Sequence, residues 1–150
     1  MRLELEFTFR AKLSAPVQVG QGPYGVRSVV EVTGGDFDGA RLRGQVLTGG
    51  GDWLLVGPDG WGHLDVRLQL RTHDGAAIYV QYTGVIELNE KVQRALAGGT
   101  PTDYADHYLR ATPVLETGDA RYAWVNRAIF VSEARLPAPG VIEYRVYRVL

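Results

Sequence analysis

From Gly62 to Thr72 the chain sets His63, Asp65, Arg67, Gln69 and Arg71 at alternate positions, with Leu64, Val66, Leu68 and Leu70 between them. A period of two sends the two sets to opposite faces of an extended strand, and the apolar set is buried only if that strand joins a sheet. His73-Asp74-Gly75 then supplies turn chemistry and Ala76–Glu87 a second extended run, so the pair predicts a hairpin.

The same reading extends along most of the chain. Leu3, Leu5, Phe7, Phe9 and Ala11 alternate with polar residues. Further strand-like runs occupy Val26–Thr33, Ala40–Thr48, Asp52–Val56, His107–Thr117, Tyr122–Arg135 and Val141–Val149. Glycine-rich or proline-containing breaks separate them, among them Gly49 to Gly51 and Pro58-Asp59-Gly60. Only Leu88, Val92 and Leu96 follow a helical spacing, with Asn89 able to cap the start and Gly98-Gly99 ending the run. About nine short strands and one short helix point to an all-β fold. Consecutive hairpins favour a closed antiparallel up-and-down β-barrel, because closure removes exposed edges and leaves room for one small ligand.

The 150 residues suit one domain spanning 1–150, with a core large enough to need no staple. Seventeen acidic and 16 basic residues leave a net charge of -1, which disfavours nucleic acid and anionic membranes as partners. The absence of cysteine excludes thiol nucleophiles, iron–sulfur clusters and disulfides. The alternating N-terminus is unlike a signal peptide and no apolar run reaches membrane-helix length, so the expected location is the cytoplasm. An outer-membrane barrel would need a continuous lipid-facing apolar band, which is not evident.

Three blocks are distinctive: Gly44-Gln45-Val46-Leu47 through Gly50-Gly51-Asp52-Trp53; Leu64-Asp65-Val66-Arg67 through Asp74-Gly75-Ala76-Ala77-Ile78-Tyr79; and Glu116-Thr117-Gly118-Asp119-Ala120-Arg121-Tyr122-Ala123-Trp124-Val125-Asn126-Arg127. Together they resemble the small bacterial proteins grouped as domain of unknown function 3237, or UPF0311, from about Leu3 to the closing Val146-Tyr147-Arg148-Val149. The resemblance implies a calycin-like or lipocalin-like barrel and carries no assigned catalytic residues.

Candidate site residues follow from shared faces. Asp65 and Arg67 lie two apart on one strand and, if that face looks inward, can bind a carbonyl or carboxylate and move a proton; if outward, they are solvated surface. Asp52 and Trp53 follow three glycines that either form a simple turn or let a ligand or backbone approach closely. Tyr122, Trp124 and Asn126, read as one strand face, combine aromatic walls with an amide, and Tyr79, Tyr82, Tyr108 and Arg110 are further lining candidates. The apolar residues on the other face of Tyr122–Arg135 suit a homo-oligomer interface. His63-x-Asp65 is the sole close histidine–carboxylate pair on a strand, so no metal site is expected. No nucleotide-binding glycine fingerprint, P-loop or nucleophile elbow is present, and no cofactor is expected.

Three functions fit these residues. The first is a cofactor-independent lyase, hydratase, isomerase or cyclase acting on a small aromatic or polyketide-like molecule in the lumen, with Asp65 or Asp52 as acid/base and Arg67 or Arg110 holding an oxyanion. The second is a carrier of a small apolar ligand. The third is a structural or oligomeric protein whose lumen is filled by its own side chains.

Overall fold

A computed structural model describes the whole chain, Met1 to Leu150. Its strands are β1 (Leu3–Leu13), β2 (Val17–Gly22), β3 (Gly25–Asp38), β4 (Gly44–Val46), β5 (Gly51–Val56), β6 (Trp61–Thr72), β7 (Ala77–Glu87), β8 (Leu109–Ala111), β9 (Val114–Glu116), β10 (Phe130–Ala138) and β11 (Val141–Val149). Helix α1 (Glu90–Leu96) follows β7, and a 3-10 helix (Ala120–Arg127) precedes β10.

Strands β1, β3, β5, β6, β7, β8, β10 and β11 each pair antiparallel with the next, and β11 returns to β1. This is a closed up-and-down barrel. Strand β2 pairs with β3, β4 bridges β3 and β6, and β9 pairs with β7. None of the helices is long and apolar enough to cross a membrane.

The interior explains the regular strands. On β6, Leu64, Val66, Leu68 and Leu70 are buried, whereas Asp65 and Arg67 are part-exposed on the outer face. Opposite them in the lumen, Phe9 stacks on Tyr144 at 4.8 Å and Tyr82 meets Tyr144 edge-on at 5.3 Å. Each fully buried apolar side chain of this kind contributes about 1.5–3 kcal/mol relative to exposure. At one end Tyr122 and Val125 of the 3-10 helix join the core with Leu42. At the other, α1 buries Val92 and Ala95, and Asn89 caps it by accepting from the Val92 N–H at 3.0 Å.

Four expectations are corrected. In β1 the register shifts between Leu5 and Phe7, so Leu5 pairs with Tyr147 and Phe7 with Val146. One extra residue reverses the faces on either side of a bulge. Leu3 and Leu5 are therefore exposed, whereas Phe7, Phe9 and Ala11 are buried. Glu6, at the bulge, is buried against a bidentate Arg41 at 2.6 and 2.8 Å and Arg148 at 3.2 Å.

The run Tyr122–Arg135 is not one strand: its first part is the 3-10 helix, a second helical element beyond the single one expected. Asp119 caps the Arg121 N–H at 2.9 Å, and Tyr122 and Val125, three apart, form the buried side. His107–Thr117 is split into β8 and β9 at Thr112-Pro113, since proline has no ladder N–H. Of Ala40–Thr48 only β4 pairs, and Leu42 turns fully into the core.

Candidate functional site

The lumen beneath α1 holds a cavity of about 100 Å³ whose 16 lining residues include 15 apolar ones, with Asp52 the only charged side chain. Val30, Val66, Tyr82 and Tyr144 line it together with Leu13, Leu88 and Ile142. Leu96 also lines it and is 60% exposed, placing the mouth beside α1.

Asp52 reaches the lumen because β5 is inserted tightly between two neighbours. A Cβ on Gly50 would lie 2.1 Å from the Arg67 carbonyl oxygen, and one on Gly51 would lie 2.5 Å from that of Val30. The glycines before Asp52 thus admit other backbone, which decides between the two readings of that run. Asp52 then pairs with Val30 on one side and Val66 on the other.

Beyond this point the β5–β6 ladder resumes only at Leu55 and His63. In the gap the Asp65 N–H donates to Asp52 Oδ1 at 3.0 Å, and Arg27 Nη1 donates to the Trp53 carbonyl at 2.6 Å. A carboxylate side chain takes the place of a ladder carbonyl.

Burial pushes the Asp52 carboxyl up, the Asp65 N–H and Arg27 charge pull it down, and the Asp65 charge raises it; the balance is about 6. Burial also drives the Tyr82 and Tyr144 phenols up, and the Asp52 charge adds to both. The lumen therefore joins a carboxyl that changes protonation near neutral pH to two phenols that stay protonated.

The other expected site residues are dispersed. Asp65 and Arg67 pair with each other at 3.1 Å on the outer face, and Arg67 lies 5.7 Å over the ring of Trp53, which is 38% exposed. They cannot act in the lumen. Tyr79 is on the outside, its hydroxyl donating to Gln81 at 3.1 Å. Tyr108 and Arg110 line an outer depression.

Tyr122 donates to Asp74 Oδ1 at 2.7 Å, and Trp124 carries the Arg41 guanidinium 3.8 Å from its ring centre. Asn126 accepts from the Thr117 N–H at 2.8 Å and donates to its carbonyl at 2.9 Å. These three fasten the 3-10 helix to the barrel and line no pocket with Asp52. Of the candidates, only Asp52 and Tyr82 meet in the lumen. Tyr144 joins them without having been singled out; the alternation of Ile142, Tyr144 and Val146 within β11 is the signal that places it on the apolar face.

No group of three or more His, Cys, Asp or Glu side chains is placed to hold a metal ion. The family model described as a protein of unknown function, DUF3237, matches residues 1–149. The chain belongs to the DUF3237 family.

DUF3237 relatives carrying the UPF0311 name include one from Rhodopseudomonas palustris, 32% identical over 140 residues, covering 91% of this chain and 89% of that protein. Another from Clostridium acetobutylicum is 32% identical over 146 residues, covering 96% and 92%. A crystal structure of a conserved R. palustris protein of unknown function superposes with a TM-score of 0.90 at 29% identity, covering 100% of this chain and 99% of that one. A β-barrel-like protein from Acinetobacter baumannii gives 0.81 at 29% identity, covering 98% and 94%. A protein described as an enzyme from Penicillium herquei shares the fold, with a TM-score of 0.67 at 21% identity over 100% and 96% of the two chains.

Proposed function

We propose that this DUF3237 barrel is a cofactor-independent enzyme that moves a proton on a small neutral, aromatic or polyketide-like molecule, as a lyase, hydratase, isomerase or cyclase does. The observation that carries the reading is Asp52: one half-buried carboxyl, with its pKa raised to about 6, in an otherwise apolar lumen beside two buried tyrosines. A general base works best with a pKa near the working pH, and a dry site strengthens its action.

In this scheme the Asp52 carboxylate takes a proton from a substrate hydroxyl or acidic C–H. A neutral phenol, Tyr82 or Tyr144, donates a hydrogen bond to the oxygen on which negative charge develops. The Asp65 N–H holds Asp52 in place by its 3.0 Å bond. No cation lines the lumen, which favours neutral substrates. An apolar cavity of about 150 Å³ takes benzene; one of about 100 Å³ with a mouth beside Leu96 suits one end of a ring compound. That this fold occurs in a protein described as an enzyme is consistent with the reading.

Carriage of an unchanged ligand is the second reading, favoured by the apolar character of 15 of the 16 lining residues. The two separate on one experiment. A bacterial small-molecule extract is incubated with the protein and with Asp52→Asn, and the products are followed by mass spectrometry. The enzyme reading expects a compound converted by the parent at least a hundredfold faster than by the variant. Equal conversion by both removes Asp52 from the chemistry, and a compound bound but recovered unchanged favours carriage.

A further inference from the structure

A depression of about 930 Å³ lies on the outer wall where β7, β8 and β10 meet, and it does not include Asp52. Gly84, Ala111 and Ser132 pair in register across the three strands at lumen-facing positions, with Ala111 and Ser132 buried, so the residues that alternate with them, Val85, Arg110 and Glu133, face outward. A Cβ on Gly84 would lie 2.4 Å from the Arg110 carbonyl oxygen, so the close approach of β8 depends on that glycine. Strand β8 has only three residues and stops before Thr112-Pro113.

The rim is chemically uneven. Val85, Arg110 and Glu133 pair in register along one side, and Val131 pairs with Tyr147 along the other. The Glu133 carboxylate accepts from the Tyr147 hydroxyl at 2.9 Å and faces two guanidinium groups, Arg110 and Arg145, each at 3.7 Å. At 3.7 Å neither pair has the close bidentate geometry that satisfies a guanidinium fork. Arg110 Nη1 donates to the Leu109 carbonyl at 2.9 Å, and the remaining N–H groups of that fork have no close carboxylate. Arg110 is held 4.9 Å over the ring of half-exposed Tyr108, which keeps the fork beside an aromatic surface.

We infer that this groove is a second binding site, for a planar aromatic carboxylate. The carboxylate of the ligand bonds to the Arg110 fork, its ring lies against Tyr108, Val85 and Val131, and Glu133 accepts from any hydroxyl or amine the ring carries. The volume lies within the range of small-molecule pockets. Leu64 is common to the linings of this groove and the lumen.

The probe is 2-naphthoate, compared with neutral 2-naphthamide, titrated into 15N-labelled protein. The expected result is chemical-shift change at the amides of Val85, Arg110 and Val131, with naphthoate bound at least tenfold more tightly than naphthamide. Arg110→Met is expected to abolish that preference and Arg110→Lys to retain part of it, each with the rest of the spectrum unchanged. The inference is overturned if naphthoate shifts no groove amide, if both probes bind equally, or if shifts are confined to Val66, Tyr82 and Tyr144 in the lumen. It is also overturned if the groove amides move with protein concentration alone, since a second copy of the chain then occupies the face.

Discussion

The backbone N–H of Asp65 donates to Asp52 Oδ1 at 3.0 Å, joining an outward-facing residue of β6 to the carboxylate inside the barrel. The bond exists because the β5–β6 ladder opens between Asp52/Val66 and Leu55/His63, leaving that N–H without a strand partner. A buried donor left unpaired costs about 1–3 kcal/mol, so the carboxylate also has a structural task.

Asp52 is expected to lower stability as pH rises. Its folded pKa, about 6, lies above the ordinary value of 3.8, so the folded state holds the proton more tightly than the unfolded chain. That contribution is complete below pH 4 and lost as pH passes through 6; the shift corresponds to about 2–3 kcal/mol. Asp52→Asn keeps an oxygen acceptor for the Asp65 N–H and removes the charge. Urea unfolding at pH 8 should show the variant more stable than the parent by about 2 kcal/mol, with the difference gone at about pH 3.

Asp74 works in the opposite direction. Hydrogen bonds from Thr72 and then Tyr122, together with the Arg121 charge, hold its pKa at about 2, against slight burial. The stability this provides is present above pH 4 and lost as pH falls through 2. Tyr122→Phe removes one of those bonds and loosens the 3-10 helix. In a far-ultraviolet circular dichroism titration its acid midpoint should lie at higher pH than that of the parent.

Glu143, on the outer face of β11, is 3% exposed beneath Tyr104. It accepts from Tyr104 at 2.8 Å, from Arg135 at 2.7 Å and from Arg10. Burial, the largest single influence, pushes its carboxyl up, but these bonds outweigh it and the net shift is downward. Glu143→Ala leaves the Tyr104 hydroxyl without its acceptor and removes a shared partner from the part-exposed Arg10 and Arg135, a loss of about 1–3 kcal/mol in denaturant unfolding. Glu143→Gln, which keeps an acceptor, should cost less.

Gly84 is needed for the barrel wall to close at β8, given the 2.4 Å approach of a Cβ to the Arg110 carbonyl. Gly84→Ala should destabilise by about 1–3 kcal/mol. Amide hydrogen exchange should be fastest relative to the parent at Arg110 and Ala111, with the β1–β11 pairing unaffected.

The barrel was legible wherever a strand had one wet face and one dry face. Gly62–Thr72 is such a case, and its period of two identifies Leu64, Val66 and Leu68 as core once the sheet closes. Alternation fails where one residue changes the count, as at Glu6, and where a period of three imitates it, as at Tyr122 and Val125. Asp52 was legible as a carboxylate after a glycine run. Its partners were harder to find, because Tyr144 enters from a strand some 90 residues away and the opened ladder at Trp53 is set by pairing between strands. Asp65 and Arg67 carried a strong local pattern that could not choose a face, and ring closure turned them outward.

The central claim is that Asp52 titrates near neutral pH inside the lumen. Its side-chain carboxyl can be followed by 13C NMR from pH 3 to 9, with the Asp65 amide proton recorded in the same samples. The account predicts a midpoint of about 6 for both signals, the amide proton reporting the charge of the group that accepts it. A midpoint near 4, or an Asp65 amide that does not follow the Asp52 titration, would contradict it.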